Sequence, residues 1–188
     1  MESSIPGIRF VDYVDESQLH QVMDLVGRDL SEPYSIFTYR YFLYRFPQLC
    51  ILAVPEGSDE PIGCVVGKMD REQDGAGPIV ESNGQEEDQG NEATLGDQQH
   101  STGEWTGYIG MLAVRENYRR KGIGKALVNL VLQRMKKLDC TSATLETEVT
   151  NRTAQKLYQE CFGFVREEML VRYYLNWNDA YRLRLWFS

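Results

Sequence analysis

Tyr118-Arg119-Arg120-Lys121-Gly122-Ile123-Gly124-Lys125-Ala126-Leu127 (YRRKGIGKAL) sets three consecutive cations and two glycines ahead of an apolar helical pattern. The stretch follows a strand-like run, Tyr108 to Val114, and opens an amphipathic helix predicted from Gly122 to Leu138. Ile123, Leu127, Leu130, Val131, Arg134, Met135 and Leu138 form the inner stripe of that helix and its edge. The first N–H groups of a helix have no partner within it, and the helix dipole adds partial positive charge there. YRRKGIGKAL therefore reads as an anion site, with Gly122 and Gly124 allowing close approach to the backbone. Arg119, Arg120 and Lys121 add charge, and a pyrophosphate fits this chemistry.

Two other phosphate loops do not fit. A Walker loop would need glycine where Arg119 stands and a hydroxyl residue where Ala126 stands. A Rossmann loop would need Gly or Ala where Leu127 stands. The plain alternative is a basic turn capping a helix.

The chain has 188 residues, 42% of them hydrophobic, and a formal net charge of -8. Residues 71–104 hold nine acidic residues and one basic one, so this segment accounts for the whole net charge. The remainder is neutral in sum, and general nucleic-acid binding, DNA included, is not expected. Cys50, Cys64, Cys140 and Cys161 are scattered in apolar contexts without a C-x-x-C pair or a signal peptide. Reduced thiols in an intracellular, cytoplasmic protein are expected. No apolar run approaches the ~20 residues that span a bilayer, so no membrane role is expected. His20 and His100 are the only histidines. His20 lies in a helical run and His100 in the acidic segment, which leaves little room for a histidine zinc site or a Ser-His-Asp triad. No metal is implied.

Along the chain, strands are predicted at Ile8 to Val14, Leu49 to Val54, Ile62 to Met69, Tyr108 to Val114, Ala143 to Val149, Phe164 to Leu175 and Tyr181 to Phe187. Helices are predicted at Ser17 to Leu30, Tyr34 to Phe46, Gly122 to Leu138 and Thr153 to Phe162. The aromatic side chains of Tyr39, Tyr41, Phe42 and Tyr44 read as helix packing. Residues 71–104 are poor in large apolar side chains and read as a disordered loop joining two paired strands. The order β-α-α-β-β-β-α-β-α-β-β predicts an α/β or α+β fold with a mixed sheet, in one domain covering residues 1–188.

Arg-x-x-Gly-x-Gly after a strand resembles the coenzyme A pyrophosphate loop of the GCN5-related N-acetyltransferases. In that family a later strand leads to Asn and, seven residues on, Tyr; here LETEVTNRTAQKLYQECFGF supplies Asn151 and Tyr158. The resemblance covers nearly the whole chain outside residues 71–104. It implies a mixed, mostly antiparallel sheet with helices on both faces, and acetyl-coenzyme A as co-substrate. Within the family the chain is similar to the C-type protein N-terminal acetyltransferases. DLSEPYSIFTYRYF (29–42), PQLCILAV (47–54), GYIGMLAV (107–114), LETEVTN (145–151) and RYYLNWNDAYRLRLW (172–186) carry this match. It implies acetyl transfer to the N-terminal Met of nascent chains whose second residue is bulky and apolar, such as Leu, Ile, Phe or Trp. It also implies two auxiliary subunits, a large scaffold and a small Sm-like one, and a route to the ribosome through them.

An α-amine has a pKa near ~8 and must lose a proton to attack. Glu146 and Glu148 project to one face of their strand, and like charges on one face favour a base nearer neutrality. Glu146 is the expected base, directly or through water, with Glu148 as its rival. The resemblance implies that Tyr158 meets the coenzyme sulfur and protonates the leaving thiolate, and that Tyr108 holds the water or the substrate amine. It further implies coenzyme contacts at Leu112, Ala113, Val114, Arg119, Arg120, Lys121, Gly122, Ile123, Gly124, Lys125 and Asn151. Leu30, Glu32, Tyr34, Tyr173 and Tyr174 are the candidates for peptide binding, together with Tyr108. Two other classes fit the same residues: an acetyltransferase acting on lysine or a small amine, and a non-catalytic acetyl-coenzyme A binder or scaffold.

Overall fold

A computed structural model describes residues 5–29, 34–71 and 103–188. The elements run β1 (Ile8–Asp12), α1 (Leu19–Asp29), α2 (Ile36–Arg45), β2 (Cys50–Pro55), β3 (Gly63–Arg71) and β4 (Trp105–Val114). They continue with α3 (Ile123–Lys137), β5 (Cys140–Glu148), α4 (Arg152–Gln155), β6 (Val165–Leu170) and β7 (Ala180–Trp186). After α4 the chain winds on as a π-helical segment, Lys156–Cys161.

One sheet orders the strands β1-β2-β3-β4-β5-β7-β6. Every neighbouring pair is antiparallel except β4 and β5. Parallel neighbours need a long crossover, and α3 provides it. β2 alternates between two cores. Ile51 and Ala53 face the cluster that holds Ile123, Leu127, Val131 and Met135 of α3. Cys50, Leu52 and Val54 face the cluster built with Leu19 and Val22 of α1 and Phe42 and Leu43 of α2. A strand apolar on both faces is covered by helices on both sides. Arg134, placed at the edge of the α3 stripe by the sequence, turns to β1: it ion-pairs Asp12 and donates to the Gln48 carbonyl at 2.9 Å.

β4 contains a bulge that its sequence period hides. Val66 pairs with Met111 and Gly67 with Ile109, which leaves Gly110 without a partner on β3. Two consecutive residues then point to the same side of the sheet. Gly110 and Met111 both turn toward the α1–α2 face, where a Cβ on Gly110 would lie 2.9 Å from two ring atoms of Phe42. The bulge also coincides with a parting of strands. β4 and β5 pair from Trp105↔Cys140 to Tyr108↔Thr144 and no further, while β5 continues to Glu148.

Several boundaries differ from the sequence reading. The strand predicted from Phe164 to Leu175 ends at Leu170, because Arg172 takes a positive φ of 53°. The helix predicted from Thr153 to Phe162 is α-helical for one turn only. Tyr39 and Phe42 are buried as expected, but Tyr41 and Tyr44 are 44% and 58% exposed. Tyr41 still packs at the helix edge, its ring edge to face with Phe42 and Phe46 and under Lys68 of β3, whereas Tyr44 turns to solvent. Residues 72–102, covering most of the expected disordered loop, lie outside the described residues, as do Leu30 and Glu32. The strands on either side of 72–102 pair as far as Arg71↔Trp105.

Gly110→Ala should lower unfolding free energy by about 1–3 kcal/mol through overpacking on Phe42. Urea denaturation measures this, and Phe42→Leu in the same chain should recover part of the loss.

Candidate active site

The parting of β4 from β5 opens a gap, and two of the expected site residues, Tyr108 and Glu146, meet beside it. Glu146 lies on β5 just past the last paired residue, Thr144. Leu145 beside it points into the α3 core, so Glu146 points to the α1–α2 face. Tyr108, at the head of the gap on β4, donates its hydroxyl to Glu146 Oε2 at 2.8 Å. Arg182, the register partner of Glu146 on β7, donates Nε to Glu146 Oε1 at 3.0 Å. Both carboxylate oxygens are thus held, and the Glu146 side chain is only 5% exposed. Burial, and then the charge of Glu146, push the Tyr108 phenol well above its ordinary value, so it remains a donor.

Glu148 has different surroundings. It accepts from Thr150 Oγ1 at 3.2 Å, from Asn176 Nδ2 at 3.3 Å and from Asn178 Nδ2 at 3.5 Å. The last two donors belong to the loop between β6 and β7, which Glu148 therefore ties to the end of β5. The two glutamates share a face, but Arg182 stands against Glu146 and breaks the simple like-charge couple expected from the sequence.

Aromatic residues surround this centre. Tyr173 and Tyr174 lie on the same β6–β7 loop and meet edge to face at 5.1 Å. Tyr34, ahead of α2, meets Tyr39 edge to face at 6.0 Å. Tyr173 and Tyr34 lie near enough to bear on the Tyr108 phenol, and Tyr173, Glu146, Tyr34 and Glu148 on that of Tyr174. The described candidates for peptide binding therefore neighbour Tyr108 and Tyr174. Burial, first of all, also pushes the Tyr174 phenol upward.

The cation-rich loop takes the geometry an anion site needs. Gly122 is left-handed at φ 85° and precedes α3, whose N-terminus has no side-chain cap. Arg120 is also left-handed, at φ 63°. Arg119 folds back, its Nε donating to the Val114 carbonyl at 2.9 Å. Lys121 lies over the Tyr118 ring at 4.9 Å. Ile123 is buried in the core, whereas Gly124 and Lys125 reach the surface. Between loop and gap runs the end of β4: Ala113 is buried against α1 and α2, while Leu112 and Val114 pack toward α3. Beyond Tyr108, the β4 edge toward β5 has no strand partner.

Asn151 caps α4 by accepting from the Ala154 amide at 3.0 Å. Tyr158 lies in the π-helical segment, buried and edge to face with Phe164 at 5.5 Å. Burial pushes its phenol up. π-helical turns are rare and often accompany functional positions. Sequence reasoning missed Arg182, the Gly110 bulge and the Asn176–Asn178 tie. The alternation Tyr181-Arg182-Leu183-Arg184 did put both arginines on one face, but only the register sets Arg182 opposite Glu146.

Residues 19–164 match the acetyltransferase (GNAT) family. The chain belongs to that family. It is 44% identical to N-alpha-acetyltransferase 30 of Xenopus laevis over 95% of this chain and 54% of that protein. It is 39% identical to N-alpha-acetyltransferase 30 of Saccharomyces cerevisiae over 93% of this chain and 85% of the yeast protein. The chain spans about half the length of the vertebrate relatives it matches. Among solved structures it is similar to a chain of the NatC complex bound to Gag peptide and CoA. That likeness has a TM-score of 0.77 and 38% identity over 96% of this chain and 99% of the other. The GNAT fold accordingly matches the mixed sheet and the helices on its two faces. Among the described residues no helix is long and apolar enough to cross a membrane.

The buried tyrosines predict a pH dependence of stability. The Tyr108, Tyr158 and Tyr174 phenols are all raised above 10.0 in the folded chain. The unfolded chain therefore loses these protons first, and the stability they contribute is lost as pH climbs through and above ~10. Urea midpoints taken between pH 8 and 11 should be flat below about pH 9.5 and fall above it, and Tyr158→Phe should lessen the fall.

Proposed function

We propose that this chain is a protein N-terminal α-amino acetyltransferase of the NatC kind. Its substrates are nascent chains that begin with Met followed by a bulky apolar residue. The observation that carries this reading is the Glu146 carboxylate, held by Tyr108 and Arg182 beside the parted strands. The 39% identity to yeast N-alpha-acetyltransferase 30, over most of both chains, supports the same activity.

Acetyl-coenzyme A fits the residues present. Its diphosphate is suited to the uncapped N–H groups that open α3 at Gly122–Lys125, with Arg119, Arg120 and Lys121 around them. Its pantetheine arm is suited to the stretch of β4 at Leu112, Ala113 and Val114, alongside which β5 no longer pairs. When bound, the coenzyme supplies an activated thioester. The protein has three tasks.

First, Glu146 takes a proton from the α-ammonium group, through a water that Tyr108 helps to hold. Second, backbone N–H groups of the β4 edge polarise the acetyl carbonyl as the free amine attacks it. Third, Tyr158, kept protonated by burial, donates toward the leaving sulfur. Asn151 shapes the turn that carries Tyr158 by capping α4. Tyr34, Tyr173 and Tyr174 enclose the Met and the second residue.

The solved relative is a chain of a NatC complex bound to Gag peptide and CoA. We further propose, as the sequence resemblance implies, that the chain works with a large scaffold subunit and a small Sm-like one, on chains leaving the ribosome in the cytoplasm. The exposed Phe37, Tyr41 and Tyr44 side chains give α2 an apolar outer face of the sort that subunit contacts cover.

Peptides beginning Met-Leu, Ser-Glu and Met-Asp, and a lysine peptide with a blocked N-terminus, test the assignment with acetyl-coenzyme A. Turnover of Met-Leu well above the rest is expected; turnover of the blocked lysine peptide alone would reject it. Glu146→Gln should lower kcat on Met-Leu by about a hundredfold or more, and a fully active variant would remove Glu146 from its role.

A further inference from the structure

β6 is an edge strand with an irregularity that serves no evident packing purpose. Arg166 pairs with Leu183 and Glu168 with Arg182, so Glu167 is an extra residue in the ladder. The resulting bulge turns two consecutive carboxylates to one side of the sheet. Both meet arginines of β7: Glu167 accepts from Arg184 at 2.8 Å, and Glu168 from Arg182 at 2.9 Å. Arg166 points to the other side, over the Tyr181 ring at 4.2 Å and onto Gln155 at 3.1 Å. Arg182 therefore stands in a row across three strands, with Glu146 of β5 on its inner side and Glu168 of β6 on its outer side. The inner pair is secluded, with the two side chains 16% and 5% exposed, while Glu168 is 54% exposed.

We propose that Arg182 is a positioning residue and Glu168 its counter-charge. Arg182 fixes Oε1 of Glu146, so that Oε2 and the Tyr108 hydroxyl face the incoming amine, and Glu168 draws off part of the guanidinium's pull. An arginine bound to Glu146 alone would hold the carboxylate in place but weaken it as a proton acceptor. The outer carboxylate offsets that effect without touching substrate. Two groups bond to Glu146 directly, Tyr108 of β4 and Arg182 of β7, with Glu168 of β6 behind Arg182. Tyr173 and Tyr34 bear on the Tyr108 phenol, and Lys68 of β3 lies over its ring at 5.6 Å. Glu146 and Glu148 of β5 both bear on Tyr174. Arg182 is the cation bonded to Glu146 itself.

The inference rests on the proposed role of Glu146, but its test does not depend on turnover. The carboxyl titration of Glu146 is followed by carbon-13 NMR in the full chain and assigned by its loss in Glu146→Gln. Arg182→Met should move the midpoint to higher pH and Glu168→Gln to lower pH, each by about half a pH unit or more. Glu167→Gln removes the equivalent pair one step along the same strands and should leave the midpoint where it is. Shifts in the same direction for Arg182→Met and Glu168→Gln, or no shift in either, would overturn the inference. Glu168 lies on an exposed edge, so its variant decides the matter alone if Arg182→Met does not fold. In turnover, Arg182→Met should lower kcat by about tenfold or more, with the KM for acetyl-coenzyme A within about twofold. An inactive chain whose midpoints still move in opposite directions would refute the acetyltransferase reading and leave the Arg182–Glu168 relation standing.

Discussion

The site depends on one constraint: β4 and β5 must begin as paired neighbours and then separate. The pairing up to Tyr108↔Thr144 fixes the level of Glu146 relative to Tyr108, close enough for a 2.8 Å hydrogen bond. The separation beyond it leaves a length of β4 backbone without a strand on that side. The Gly110 bulge lies at the point of departure and favours a residue without a side chain, because a Cβ there would press on the Phe42 ring. Backbone polar groups seldom stay unpaired in a protein interior, so an exposed strand edge within a sheet invites a ligand that can bond to it.

Charge is arranged locally and against the trend of the whole chain. The acidity of the sequence belongs to residues 71–104, a segment that contains none of the proposed site residues. Around the site, cations and anions alternate. The loop before α3 is basic, where a diphosphate is suited; β7 supplies Arg182 and Arg184; β5 and β6 supply the glutamates that meet them. Glu146 and Glu148 are two residues apart and yet distinct, one held by a guanidinium and a phenol, the other by two side-chain amides and a hydroxyl. The first arrangement suits proton transfer, and the second suits holding the β6–β7 loop.

Local pattern was enough to read much of the architecture. The apolar period of α3, the strand runs of β2 and β3 and the glycine-rich turn before α3 all appear in short windows of sequence, because each depends on neighbours within a few residues. Tyr108, Glu146, Tyr173 and Tyr174 were also legible as candidates and are brought to one place. What remained hidden depends on register. Arg182 is unremarkable in sequence until β7 pairs with β5, and the bulges at Gly110 and Glu167 look like ordinary strand positions until their partners are known. The outward-facing Tyr44 was misread for a related reason: an aromatic helix does not declare which of its faces meets the sheet. A glycine inside the GYIGMLAV strand was the one available hint of a bulge.

The central claim is that coenzyme A lies in the gap between β4 and β5 with its diphosphate at the start of α3. An amide NMR titration of the full chain with coenzyme A tests this most directly. The account predicts that the amides of Leu112, Val114, Gly122, Gly124 and Lys125 shift together and saturably, while those of β1 stay in place. Saturable shifts elsewhere, with Gly122–Lys125 unmoved, would contradict it.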